Sequence, residues 1–148
     1  MSKTANLQVL LSIRPKHADN IIEGIKTVEF RRRFPADARV RGATVWIYST
    51  APVKQIIGMA TVMSVERMAL PKLWISHQDA GAVDRHVFDD YFAGATEGHA
   101  ILLSGIRKLA TTVGADDLKA LDFSAPQSYR FVTEPVLDML RECLEIPA

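Results

Sequence analysis

The sequence predicts an α+β fold, a small mixed β-barrel-like sheet decorated by short α-helices. Three observations carry this reading. About five segments are rich in β-branched, aromatic or aliphatic residues at strand length, and three or four others carry short helical patterns. The two kinds alternate irregularly, without the strand–helix–strand rhythm of a parallel sheet. With 148 residues, 48% of them hydrophobic, the chain can bury one core unaided, so a single domain over residues 1–148 is expected.

Residues 7–13 (LQVLLSI) read as a short buried strand closed by Pro15. Residues 16–23 follow as a brief helix with Ala18, Ile21 and Ile22 on one side, and Gly24 suits the position just past its end. Residues 26–33 (KTVEFRRR) alternate: Val28 and Phe30 face one way, Glu29, Arg31 and Arg33 the other, so one face packs while the other presents charge. After a turn-rich connection at 39–43, residues 44–49 (TVWIYS) form the strongest strand, broken by Ala51-Pro52. The run QIIGMATVMSV within 53–65 is a further β segment in which Gly58 marks a bulge or a close backbone approach.

Residues 71–76 read as one or two helical turns, and residues 83–93 as an amphipathic helix with Val83, Val87, Phe88, Tyr91 and Phe92 along its stripe. Residues 99–106 (HAILLSGI) return to a buried strand; a looser region through Ser124 holds one short helix near 116–121. An extended stretch at 126–130 leads into a last helix, with Thr133 as N-cap, Pro135 in its first turn, and Val136, Leu137, Leu140 and Leu144 as its apolar side.

Cys143 is the only cysteine, so no internal disulfide exists, and the four histidines are too scattered to complete a zinc site with it. A reducing, cytoplasmic location is expected: the start MSKTANLQVLLSI has no cleavage-site pattern, and no apolar stretch reaches membrane-spanning length. The net charge of +1 conceals an uneven distribution. Between Arg14 and Lys54 nine basic residues stand against four acidic ones, an excess of +5 that leaves −4 elsewhere. An anion-binding face and a solvated basic loop around 31–41 explain that count equally well.

The segment GIKTVEFR, Gly24 to Arg31, concentrates the chemistry. A lysine and an arginine flanking one glutamate can grip a phosphate while keeping the carboxylate ionised. Glu29 can then accept hydrogen bonds from a base edge or a ribose hydroxyl, or act as general base on a 2′-hydroxyl while Lys26 or Arg31 stabilises the developing charge. The competing explanation is an ion pair of Glu29 with Arg31 or Lys26 that merely closes a barrel rim. Tyr48, near a strand end and close to Lys54, suits an unpaired base stacked above its phosphate, whereas Trp46 is assigned to the core. Gln127, Ser128 and Arg130 offer neutral and bidentate donors, although an ordinary helix-capping loop explains them equally. Arg14 and Lys16 complete the phosphate-binding candidates, with Arg31 and Arg33. His86 and Asp90, four residues apart, read as a solvated face rather than a metal site, and His17 as structural.

The spelling G-x-K-x-x-E-x-R at a helix end running into a strand resembles the signature of the ASCH domain, a branch of the PUA-like superfamily of small β-barrels. The blocks LLSIRPKHADNIIEG, VWIYSTAPVKQIIG and PQSYRF resemble ASCH segments in the same order, from about residue 10 to residue 131. The resemblance implies a barrel whose cleft is bordered by the first helix and the motif strand, and a ligand that is RNA or a modified nucleotide. It also tips Ser128 toward a functional role.

Family members are described as RNA-binding coregulators, ribonucleases and, in one branch, amidohydrolases acting on acetylated cytidine. The leading expectation is therefore a ribonuclease acting on single-stranded RNA, with Lys26, Glu29, Tyr48, Lys54 and Ser128 as catalytic residues and at most a divalent metal ion as cofactor. No metal-ligating residue is identified. A non-catalytic RNA-binding or coregulator module comes second. The amidohydrolase comes last, because that branch looks to place a threonine three residues after its lysine, where Glu29 stands here.

Overall fold

The computed structural model describes residues 7–144, so the first six residues of the start read above lie outside it. In chain order the elements are β1 (Gln8–Ile13), α1 (Pro15–Ile22), β2 (Val28–Arg31), β3 (Thr44–Ser49), β4 (Gln55–Ala69), α2 (Leu70–Gly81), α3 (Arg85–Tyr91), β5 (Glu97–Gly114), α4 (Ala115–Ala120), β6 (Tyr129–Phe131) and α5 (Val136–Glu142). The strands make one curled sheet in the order β2-β5-β4-β3-β1-β6. All neighbours pair antiparallel except β1 and β3, whose parallel pairing follows from the crossover through α1 and β2.

Strand alternation sorts the side chains into two faces. Val9, Leu11 and Ile13 of β1, Val45 and Ile47 of β3, and Ile101 and Leu103 of β5 form the inner core, which Ala18 and Ile21 of α1 plug. On the outer face, Leu10, Trp46, Ile56, Leu109 and Val113 pack under α4 and α5 through Leu118, Val136, Leu137 and Leu140. A third cluster covers the back of β2: Val28, Phe30 and Ala100 meet Leu73 of α2 and Phe88 and Phe92 at α3. Phe30 and Phe88 contact edge to face at 5.0 Å.

The sequence underestimates several elements. β5 runs on from the expected 99–106 to Gly114 because Leu109 and Val113 are both 2% exposed and extend the packed face. Register shifts at three places along the β4–β5 pairing interrupt the alternation that would have revealed it. The segment after Pro126 pairs with β1 as a sixth strand, and α2 reaches Gly81 instead of stopping near Ser76. Thr133 does not cap α5 with its side chain; Pro135 occupies that position, and the Glu134 carboxylate accepts the Asp138 amide at 3.0 Å. Gly58 stands at a register shift, as expected, and an added Cβ would meet Ile22 and lie 2.7 Å from the Arg107 carbonyl. Among the described residues, no helix is long and apolar enough to cross a membrane.

Gly81 fixes how closely α2 approaches the back of β2. An added Cβ would collide with the Phe30 ring, two of whose other carbons would lie at 2.6 and 3.2 Å. Gly81→Ala is expected to cost about 1–3 kcal/mol by overpacking, read as a fall in the urea midpoint at unchanged m-value.

Candidate functional site

The site is built where α1 hands the chain to β2. Pro15 opens α1 at its first turn, and Gly24, at φ +78°, ends it in the left-handed conformation that glycine adopts without strain. The Asn20 carbonyl accepts the amides of both Ile25 and Lys26, at 2.9 and 3.0 Å, which turns the chain back toward the sheet. β2 then places Val28 and Phe30 in the third cluster, against α2 and α3. Glu29 lies opposite Ile101, and Arg31 opposite His99, on the inner face. β2 is an edge strand, yet all four of its residues are buried.

Burial of this edge comes from the sheet's curl, which brings the other edge over β2. Arg31 bridges the seam. Its guanidinium donates from Nη1 to the Ser12 carbonyl of β1 at 3.1 Å and to Glu29 Oε2 at 3.2 Å, and from Nη2 to Ser128 Oγ at 2.8 Å. The backbone amide of Ser12 in turn donates to the Ser128 carbonyl at 2.9 Å, while Ser12 Oγ donates to the Pro126 carbonyl at 2.6 Å. Lys26, 1% exposed, donates from Nζ to the Gly81 carbonyl, stands 3.5 Å from Glu29 Oε1 and lies 5.5 Å from the centre of the Phe30 ring. One buried carboxylate therefore sits between two buried cations. Burial pushes the Lys26 pKa down, against the opposing pull of Glu29.

These three side chains line a cleft of about 620 Å³ between α1, the end of β1, β2 and α3. His17 comes from α1 and Arg14 from the residue that caps it; Val87, Phe88 and Tyr91 make an apolar and aromatic wall; Gln127 and Thr50 stand on the remaining sides. A second cleft shares Arg31, Tyr91 and Gln127 with the first and continues past Arg33 and Ser128.

The structure thus gathers Lys26, Glu29, Arg31, Arg14 and Gln127 in one cleft, with Ser128 attached through Arg31. Other expected members stand elsewhere. Arg33 lies beyond the end of β2, exposed, and belongs to the second cleft, because the strand stops at Arg31. Tyr48 is 7% exposed and packs beside Trp46 in the outer cluster under α4 and α5; burial raises its pKa. It is one strand away from the cleft, paired in register with Ser12. Lys54, exposed in the β3–β4 turn, and Lys16, exposed on α1, do not line the cleft. Arg130 is engaged outside it, donating to the Ser124 carbonyl at 3.0 Å and stacking over Phe123 at 3.9 Å. Arg32 ties down the end of α3 through the carbonyls of Tyr91 and Ala93.

The charged face of β2 is consequently not presented to solvent, as alternation alone suggests, but enclosed. The rim-closing ion pair and the ligand-facing constellation are the same residues. The sequence reads His17 as structural and His86 with Asp90 as a solvated face, and gives no sign of Ser12, yet all four line the cleft. For His17 a signal existed: it stands beside Lys16 and close after Arg14, in the basic stretch that opens the helix. Cys143 ends α5 half-buried, and burial raises its thiol pKa.

Fold and site define a small α+β half-barrel protein whose polar cleft opens beside its first helix. The model of the ASCH domain matches residues 11–108, and the chain belongs to the ASCH domain family. An ASCH domain-containing ribonuclease of Zymomonas mobilis is 34% identical over 123 residues, which is 82% of this chain and 81% of that protein. The crystal structure of ASCH from Zymomonas mobilis aligns with a TM-score of 0.87 at 30% identity, covering 95% of this chain and 98% of that one. The N-terminal domain of Staphylothermus marinus McrB, 10% identical with a TM-score of 0.56, shares the fold alone.

Proposed function

We propose that this protein binds single-stranded RNA in the cleft beside α1 and cleaves it through the ribose 2′-hydroxyl. The observation that carries the reading is the buried Lys26–Glu29–Arg31 group lining a cleft with an aromatic wall. Cations at the bottom and at the mouth, where Arg14 is exposed, suit a phosphate, and the exposed ring of Tyr91 suits an unstacked base. The ribonuclease relative from Zymomonas mobilis, matched over most of both chains, supports the same activity. Glu29 has each oxygen facing a cation, so in this reading it chiefly neutralises and orients Lys26 and Arg31. Ser128 belongs to the proposal through its bond to Arg31, and Tyr48 and Lys54 as further candidates that stand outside the cleft. A cytoplasmic location accords with a free Cys143.

A binding-only module uses the same cleft and is the second reading, favoured by how fully the triad is engaged in protein contacts. The acetylcytidine amidohydrolase gains nothing from the structure: Thr27 is exposed, outside the cleft, and Lys26 is held against Gly81.

Incubation of single-stranded RNA with the purified protein, with and without chelator, separates these readings. Cleavage that Glu29→Gln and Arg31→Lys abolish is the expected result, and the chelator arm reports whether a divalent ion takes part. Intact RNA with retained binding leaves the binding module; cleavage unaffected by both substitutions rejects the cleft as the active site. RNA affinity is expected to fall steeply with salt as basic side chains displace counterions.

A further inference from the structure

Cleavage through a 2′-hydroxyl needs a proton acceptor that faces the bound ribose with a lone pair free at neutral pH. Four groups with that capacity line the cleft: Glu29, His17, His86 and Asp90. Glu29 is the least available, with Oε1 turned to Lys26 at 3.5 Å and Oε2 bonded to Arg31 at 3.2 Å. His86 and Asp90 are exposed on α3, at the rim opposite α1. His17 remains. It lies in the first turn of α1, three residues after Arg14 at the helix N-cap, and both line the cleft at its α1 side.

We propose that His17 is the general base of the cleavage reaction, accepting the 2′-hydroxyl proton of the ribose whose phosphate Arg14 and Arg31 hold. This rests on the ribonuclease reading given above. Neither ring nitrogen is hydrogen-bonded among the described residues, whereas a core histidine of purely structural role ordinarily has a partner; Nδ1 is buried without one, so Nε2 is the nitrogen that accepts from the cleft. The charged surroundings also suit the role. Burial lowers the imidazole pKa from 6.5, and Lys26, Lys16 and Arg14 act in the same direction while Glu29 opposes them. Arg31 adds a further cation across the cleft floor, and His86 and Asp90 face it from α3. The imidazole is therefore neutral, and able to accept, at physiological pH.

In the step itself the 2′-hydroxyl proton passes to the imidazole, the 2′-oxygen bonds to phosphorus, and the bond from phosphorus to the 5′-oxygen breaks. A water molecule protonates the departing 5′-oxygen, and the resulting hydroxide takes the proton back from the imidazolium. No oxidant or reductant is involved.

The test is kcat/KM for single-stranded RNA across about pH 4.5 to about pH 8.5, for the wild type, His17→Gln and His17→Ala, the last with and without added imidazole. The wild type is expected to lose activity on an acid limb with its midpoint below 6.5. His17→Gln is expected to cleave about 10²–10⁴-fold more slowly, with RNA affinity retained and the acid limb gone, and imidazole to restore part of the His17→Ala rate. Variants that cleave at the wild-type rate, or more slowly with the acid limb unchanged, overturn the proposal and leave the ribonuclease reading standing. A wild type that binds RNA without cleaving it overturns both. Should the variants not fold, a wild-type profile with no acid limb below 6.5 overturns the proposal by itself.

Discussion

Arg31→Ala is expected to destabilise the protein by about 3–5 kcal/mol, the cost typical of breaking a buried, hydrogen-bonded ion pair from one side. The side chain is 7% exposed, and its removal strips donors from the Ser12 carbonyl, the Glu29 carboxylate and Ser128 Oγ together. Two of these acceptors are on the far side of the seam. The loss should therefore have a local as well as a global signature. The Ser12 amide, which donates to Ser128 across β1 and the segment leading to β6, should exchange its hydrogen faster than amides in the β3–β4 pairing. Arg31→Lys should recover only a small part, because one ammonium cannot reproduce a planar fork that spans three acceptors. Urea unfolding followed by residue-resolved exchange checks both statements. A loss below 1 kcal/mol would mean that the seam is held by its apolar contacts and not by the guanidinium.

That dual position explains how much of the protein could be read from its sequence. Elements whose period is uninterrupted were legible: β1, β3 and the stripe of α3 all appear where aliphatic or aromatic spacing puts them. Gly24 and Gly58 announced a helix end and a register shift because no other residue serves there without strain or collision. β5 was cut short because bulges shift its alternation, and β6 was missed because three residues, two of them exposed, carry no period at all. At the site, the alternation in VEFR correctly put Glu29 and Arg31 together. It could not show that the sheet curls over them, because closure depends on the distant Ser12 and Ser128. The same limit applies to Tyr48. Thr50, two residues on, lines the cleft, but the face of Tyr48 is decided by α4 and α5, which pack on it from more than sixty positions later.

Glu29→Gln attacks the same group from its centre and should cost about as much, roughly 3–5 kcal/mol, for a different reason. The substitution preserves shape and an acceptor oxygen but leaves Lys26 and Arg31 as two buried cations with no anion between them. In the wild type Glu29 is what resists the downward push of burial on Lys26. Without it the folded-state pKa of Lys26 falls further below 10.5. Between that lowered value and 10.5 the unfolded chain binds the Lys26 proton more tightly than the folded one does, so stability rises with pH across the window. The deficit of Glu29→Gln relative to wild type should accordingly shrink as the solution is made alkaline. Adding Lys26→Met, which fills much of the same space without charge, should restore part of the stability at neutral pH and remove the alkaline recovery. A coupling of about 0.5–3 kcal/mol between the two substitutions is expected for groups in direct contact. Strict additivity, with an unchanged pH slope, would show that Lys26 is held by the Gly81 carbonyl and the Phe30 ring alone, and that the carboxylate serves only Arg31.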